Sequence, residues 1–152
     1  MTSDAPAPAP AQPRKRVVTA ALYYFALVFG AGLVLGPPRV LWLEPWLGKT
    51  LAVALEAPLL ILAMWWGARA APAWAGVRAG AGALLAVGVL ALVLQQLADL
   101  SVGFGLRGMT LAEQLRYFAT PPGYIYAGCL ALFAIMPLLR AKRASEGPGE
   151  PS

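Results

Sequence analysis

Histidine is absent from this sequence, and cysteine occurs once, as Cys129. A lone thiol cannot form a disulfide within one chain, and the usual nitrogen and sulfur ligands of zinc, copper or haem are nearly missing. The chain also lacks a recognisable pairing of nucleophile and base, which leaves only Asp99, Glu113 and a few arginines as catalytic candidates. The sequence therefore predicts no metal site, no cofactor and no catalytic residue, and an enzyme is the least favoured class.

Charge is also scarce, because only 12% of the 152 residues are charged while 59% are apolar. Soluble domains carry about 25% charged residues. The core of a soluble domain of about 150 residues cannot enclose so many apolar side chains. The net charge of +5 comes from basic residues at the ends of apolar runs. That placement is typical of membrane orientation and not of a nucleic-acid partner, which we exclude.

The apolar runs match the thickness of a bilayer, since about 20 helical residues cross its hydrocarbon core. We predict an all-α, polytopic membrane protein with four transmembrane helices. Alternating Ala-Pro and a polar Pro/Gly segment predict disordered tails at the two ends. The expected spans are about 17–43 with a kink at 37–38, 46–68, 77–98 and 123–139, within a membrane domain of 14–143 flanked by tails 1–13 and 144–152.

A shorter helix is expected in the last outer loop. Thr110-Leu111-Ala112-Glu113 fits a capping box, in which a hydroxyl and a carboxylate satisfy the first free amides of a helix. Leu111, Leu115 and Phe118 then share one face at helical spacing. The pattern favours an interfacial helix at about 111–119 that lies on the membrane surface. A loop helix packed on nothing in particular is the alternative.

Basic residues indicate the orientation, because lysine and arginine are retained on the cytoplasmic side. With four spans, the two termini and the middle loop share one face. That face carries Arg14, Lys15, Arg16, Arg69, Arg78, Arg140, Lys142 and Arg143, against Arg39, Lys49, Arg107 and Arg116 on the other. Both termini are therefore expected in the cytoplasm.

Glu56 is the charged residue placed deepest, roughly 15 Å into the second span if that helix begins at Trp46. An ionised carboxylate there needs a partner, and Arg39 is the best candidate, followed by Arg107. The site is either a buried ion pair that fixes helix packing or an outward-opening pocket for a proton, ion or ligand. The candidate polar cluster on the outer side is Arg39, Glu56, Gln95, Gln96, Asp99 and Arg107.

Two pairs of glycines have the spacing of helix-packing motifs. Gly32 and Gly36 lie in the first span, and Gly76 and Gly80 lie at the start of the third. Small residues let helices approach closely in lipid. The pairs predict either a tight contact between these two helices or formation of a homodimer.

Several segments together resemble a family of uncharacterised small bacterial inner-membrane proteins with four helices. They are Tyr23–Lys49 with its Arg39-Val40-Leu41-Trp42-Leu43 run, Leu55-Glu56-Ala57-Pro58, Leu106-Arg107-Gly108-Met109-Thr110, and Met136-Pro137. The resemblance covers nearly the whole chain outside its tails and implies the bacterial inner membrane, but no activity. Small multidrug transporters share the span count, yet their essential carboxylate lies in the first span and Glu56 lies in the second.

The favoured function is a non-catalytic membrane protein with an accessory, assembly or membrane-associated role. Its expected partners are the lipid bilayer and either further copies of itself or another membrane protein. A small transporter or channel that uses Glu56 is the alternative.

Overall fold

The computed structural model describes residues 13–78 and 80–145, and all regular structure in them is helical. The all-α prediction is confirmed. The predicted tails lie outside the described residues, apart from Pro13 and the last two residues of the final helix. The elements are α1 (Arg14–Pro38), a π-helical turn (Arg39–Leu43), α2 (Glu44–Trp74), α3 (Ala81–Gly105), α4 (Leu111–Tyr117) and α5 (Pro121–Ser145).

Among the described residues, three helical segments are long and apolar enough to cross a membrane: Arg14–Trp74, Ala81–Gly105 and Pro121–Arg143. The first, at 61 residues, would be about 90 Å long if it were straight. It is instead a hairpin, because the Arg16 guanidinium donates to the carbonyl of Gly76 across 60 residues, at 3.2 Å. The reversal lies at Gly48, whose φ of 78° and ψ of 160° are not helical.

The predicted kink at 37–38 falls where α1 passes into the π-helical turn. Pro38 and Arg39 both keep right-handed helical angles. Prolines lack the amide that would bond four residues back. A wider turn follows them, in which the Glu44 amide donates to the carbonyl of Arg39. The change of direction is left to Gly48, because glycine adopts a positive φ without strain.

Four helices form the bundle: α1 and α5 each pack against both α2 and α3, and thus face each other across its centre. Each presents a stripe of buried residues spaced three or four apart, the pattern of one helix face. The stripes are Val17, Ala20, Ala21, Tyr24 and Val28 on α1; Met64, Ala68 and Ala71 on α2; Leu84, Val87 and Ala91 on α3; and Cys129, Phe133 and Met136 on α5.

Tyr24 and Phe133 close the centre of the bundle. Their rings stack with centroids 4.5 Å apart, and the Tyr24 hydroxyl donates to the carbonyl of Phe133 at 3.0 Å. Pro137 explains this bond, since it has no amide to donate to the carbonyl four residues back. Tyr24 thus satisfies a buried acceptor that the helix itself leaves free.

Large apolar side chains cover the outside of the bundle. Val34 is 73% exposed, Leu62 64% and Val93 52%, on three different helices. A water-soluble monomer rarely exposes apolar surface so continuously. With the three long apolar segments, this exterior indicates an integral membrane protein.

The third and fourth long helices extend beyond their predicted ends. α3 continues to Gly105, so Asp99 lies within a helix and not at the start of a loop. The short helix α4 has the predicted capping box, in which Thr110 Oγ1 accepts from the Glu113 amide and the Glu113 carboxylate accepts from the Thr110 amide. The bonds from Thr110 lower the pKa of Glu113, because they favour its ionised form.

The two predicted glycine pairs do not contact each other, and formation of a homodimer through them stays a prediction. A Cβ at Gly32 or Gly36 would meet nothing within 4 Å. Gly76 has a positive φ of 65° in the loop before α3, and Gly80 precedes its first turn, so this pair is not on a helix face. The close approach occurs at Gly88 of α3, where a Cβ would lie 1.8 Å from the carbonyl oxygen of Ala134 in α5.

The bond between Tyr24 and Phe133 leads to a stability prediction. Tyr24→Phe leaves the buried carbonyl of Phe133 unpaired, which costs about 1 kcal/mol or more. We expect a lower midpoint in detergent unfolding, while Tyr23→Phe, the same change on the neighbouring exposed ring, leaves it unaltered. In a Pro137→Ala background the helix amide supplies the missing donor, so Tyr24→Phe should cost less there. Equal losses in the two backgrounds would contradict this role.

Candidate functional site

The candidate site is the polar cluster at the end of the bundle where α1 turns into α2. Arg39, in the π-helical turn, places its Nε 3.2 Å from Oε2 of Glu56 and 3.8 Å from Oε1 of Glu44. The structure therefore places Arg39, the predicted partner, beside Glu56. The side chains of Arg39 and Glu56 are only 15% and 10% exposed, so the pair is largely buried within the protein.

The reversal at Gly48 sets the depth of this pair. Counted from there, Glu56 lies about 12 Å along α2, nearer the helix end than a start at Trp46 predicts. The Nε of Arg39 has no aligned hydrogen bond, so its contact with Glu56 is an electrostatic one.

A second group of polar residues surrounds Asp99 on α3. Its carboxylate accepts from the amide of Gln95, one turn earlier, at 3.0 Å, and from the hydroxyl of Tyr126 on α5. Arg107, beyond the end of α3, interacts with the same carboxylate through its charge. Gln96 is half-buried and takes part in none of the hydrogen bonds or ion pairs found among the described residues.

Tyr117, at the end of α4, connects the two groups. It lies close to the Arg39 guanidinium, and its ring lies 6.3 Å from that of Tyr126, centroid to centroid. The ammonium of Lys49 sits over the Tyr117 ring at 5.3 Å. Burial raises the pKa of Tyr117, which keeps its hydroxyl neutral and able to hydrogen-bond.

The cluster is balanced in charge. It contains three cations and three carboxylates, and the cations lie beside carboxylates or an aromatic ring. The six are Arg39, Lys49 and Arg107 against Glu44, Glu56 and Asp99. Such an arrangement ties α2, α3, α5 and the π-helical turn together and leaves no excess charge to attract an ion.

Sequence reasoning did not identify Tyr117, Tyr126, Glu44 or Lys49 as members of this cluster. Tyr126 lies three residues before Cys129 and seven before Phe133, so helical spacing alone places it on the buried face of α5. That signal was available in the sequence. The position of Tyr117 was not, because it depends on how α4 lies across the bundle.

Comparisons with protein-family models, with curated proteins and with solved structures found no match. The resemblance to small bacterial inner-membrane proteins therefore stays a prediction.

The ion pair between Arg39 and Glu56 can be tested with a double-mutant cycle. Arg39→Gln and Glu56→Gln each leave one buried charge without its partner, which typically costs about 3–5 kcal/mol. We expect each single variant to lower the unfolding midpoint in detergent strongly and the double variant to recover much of the loss. Glu44→Gln, which removes a more distant and more exposed carboxylate, serves as the control and should cost far less.

Additive losses in the double variant would show that the two residues do not interact. Wild-type stability in all three variants would show that the pair contributes nothing to folding.

Proposed function

We propose that this chain is a four-span protein of the bacterial inner membrane, with both termini in the cytoplasm, and that it acts as a non-catalytic accessory or assembly partner of other membrane components. The hairpin formed by α1 and α2 supports the span count, since its two arms are each long enough to cross a bilayer. The excess of lysine and arginine at the ends nearest the termini supports the orientation.

One observation supports the non-catalytic role. The charged residues of the outer cluster, Arg39, Lys49, Arg107, Glu44, Glu56 and Asp99, interact with one another or with an aromatic ring. A transport site needs a charged group that can exchange partners, and a polar route that leads away from it. Between the cluster and the opposite end of the bundle lie the stacked rings of Tyr24 and Phe133, with Val87 and Met136 around them. Within residues 13–78 and 80–145, no charged side chain is fully buried in this core.

An accessory role fits the surface of this molecule. Its exterior is apolar along the spans, and its polar groups at the outer end stabilise the fold. What it offers to other molecules is a rigid helical surface within the bilayer, where association is driven by packing and by a few polar contacts. Flux through Glu56 is the outcome that would favour a transporter instead.

Thiol labelling tests the topology. In a Cys129→Ala background, we place one cysteine by Leu106→Cys, at an 82% exposed position after α3, and in a second variant by Ser3→Cys near the N-terminus. A membrane-impermeant maleimide should label the Leu106→Cys variant in spheroplasts and the Ser3→Cys variant only after permeabilisation. The reverse pattern would invert the proposed orientation, and labelling of both without permeabilisation would contradict the three spans proposed between residues 3 and 106.

Two measurements on the full chain test the role. Purification from native membranes in mild detergent should retain another membrane protein in a fixed ratio, and the Arg39→Gln/Glu56→Gln double variant should retain it too if it folds. In liposomes, wild type and Glu56→Gln should show the same background proton flux. A chain that purifies alone and shows flux lost in Glu56→Gln would be a transporter, contrary to the proposal.

A further inference from the structure

A cleft of about 450 Å³ opens between α2, α3 and α5, at the end of the bundle opposite the outer cluster. Its walls are apolar and include Pro72, Leu84 and Pro137. Its rim holds three arginines, Arg69 and Arg140 with Arg143 one turn further along α5. No carboxylate of the described residues lines the cleft. The acidic residues within the described ranges all lie at the other end of the bundle: Glu44, Glu56, Asp99 and Glu113.

Two of the rim arginines, Arg140 and Arg143, are held in position by an aromatic ring, with no carboxylate among the described residues beside them. The guanidinium of Arg140 lies 3.8 Å from the centre of the Trp65 ring, and that of Arg143 lies 5.5 Å from it. Stacking on an aromatic ring fixes a guanidinium but leaves its charge in place. The Nε of Arg140 is buried and has no hydrogen-bond partner among the described residues. An unsatisfied buried donor on a cation is costly and calls for an anionic acceptor.

We propose that this cleft binds an anionic phospholipid of the leaflet that faces the chain termini, with an acyl chain along the apolar walls and the phosphate at Arg69, Arg140 and Arg143. Guanidinium groups match phosphate oxygens in a bidentate geometry. A small soluble anion is a poorer occupant than a lipid, because it would leave the apolar walls of the cleft uncovered. A basic pocket between helices on the cytoplasmic side is also where anionic head groups are recognised.

The inference rests on the topology proposed above but not on the accessory role. A chain without a protein partner could still bind the lipid, and a chain with one could fail to. The two proposals are therefore tested on different samples, purified protein here and native membranes above.

Native mass spectrometry of the purified full chain tests the proposal. The probes are phosphatidylglycerol and phosphatidylcholine with identical acyl chains, added to delipidated protein in detergent. We expect wild type to retain phosphatidylglycerol preferentially. Removing two basic residues by Arg140→Gln/Arg143→Gln should weaken that binding roughly thirtyfold. Arg14→Gln/Lys15→Gln removes the same charge near the other end of the chain, outside the cleft, and should change binding less than about threefold.

A second variant keeps the proposal testable if the arginine variant does not fold. Ala73→Trp adds bulk at an exposed residue of the cleft wall and leaves all three arginines in place. It should lower retention of phosphatidylglycerol and leave the unfolding midpoint near that of wild type. Retention unchanged by Ala73→Trp would place the lipid elsewhere and overturn the proposal.

Three further outcomes would also overturn it. Equal retention of the two lipids would show that the head group is not recognised. Equal losses in the cleft variant and the Arg14→Gln/Lys15→Gln control would show a diffuse effect of net charge. Displacement of phosphatidylglycerol by millimolar inorganic phosphate, with phosphate retained in its place, would make the cleft a site for a soluble anion.

Discussion

A charged side chain that is buried in an apolar helix bundle needs a partner of opposite charge within the protein, because neither lipid nor a packed core can solvate it. Arg39 and Glu56 meet this requirement together, and their pairing links the turn after α1 to the second arm of the hairpin. The π-helical turn sets where Arg39 stands, and the reversal at Gly48 sets which residue of α2 comes back to face it. Helix packing at this end of the bundle follows from this contact.

The two ends of the bundle differ in how they treat charge. At the end that holds Arg39 and Glu56, carboxylates and cations are matched, and tyrosines on α4 and α5 connect them. At the other end, arginines line a cleft that no carboxylate among the described residues shares. The apolar layer around Tyr24 and Phe133 keeps the two ends apart. A molecule built in this way is suited to being held and positioned in a membrane, with one end closed on itself and the other open to anions.

Some of this architecture could be predicted from the sequence, because it depends on local patterns. Apolar runs predicted helices, the need to neutralise Glu56 pointed to Arg39, and Thr110 with Glu113 predicted the start of α4. The position of the reversal could not be predicted in the same way. The paired prolines are the stronger local signal, yet the reversal lies further along the chain, at Gly48.

Packing across the bundle was also beyond local patterns. The glycine spacing at Gly32 and Gly36 is right for close approach, but which glycine meets a neighbour depends on the rotation of each helix. In this chain Gly88 does so. The bond from Tyr24 to the carbonyl of Phe133 likewise joins residues 109 positions apart, and it becomes intelligible only once Pro137 is seen one turn beyond that carbonyl.

We propose that Glu56 is an ionised partner of Arg39 and not a group that takes up and releases protons. Infrared difference spectroscopy of wild type and Glu56→Gln in lipid vesicles reports this directly. We expect the difference at neutral pH to lie in the carboxylate stretch, with no band from a protonated carboxyl group. A protonated carboxyl band that belongs to Glu56 and disappears as the pH is raised would contradict it.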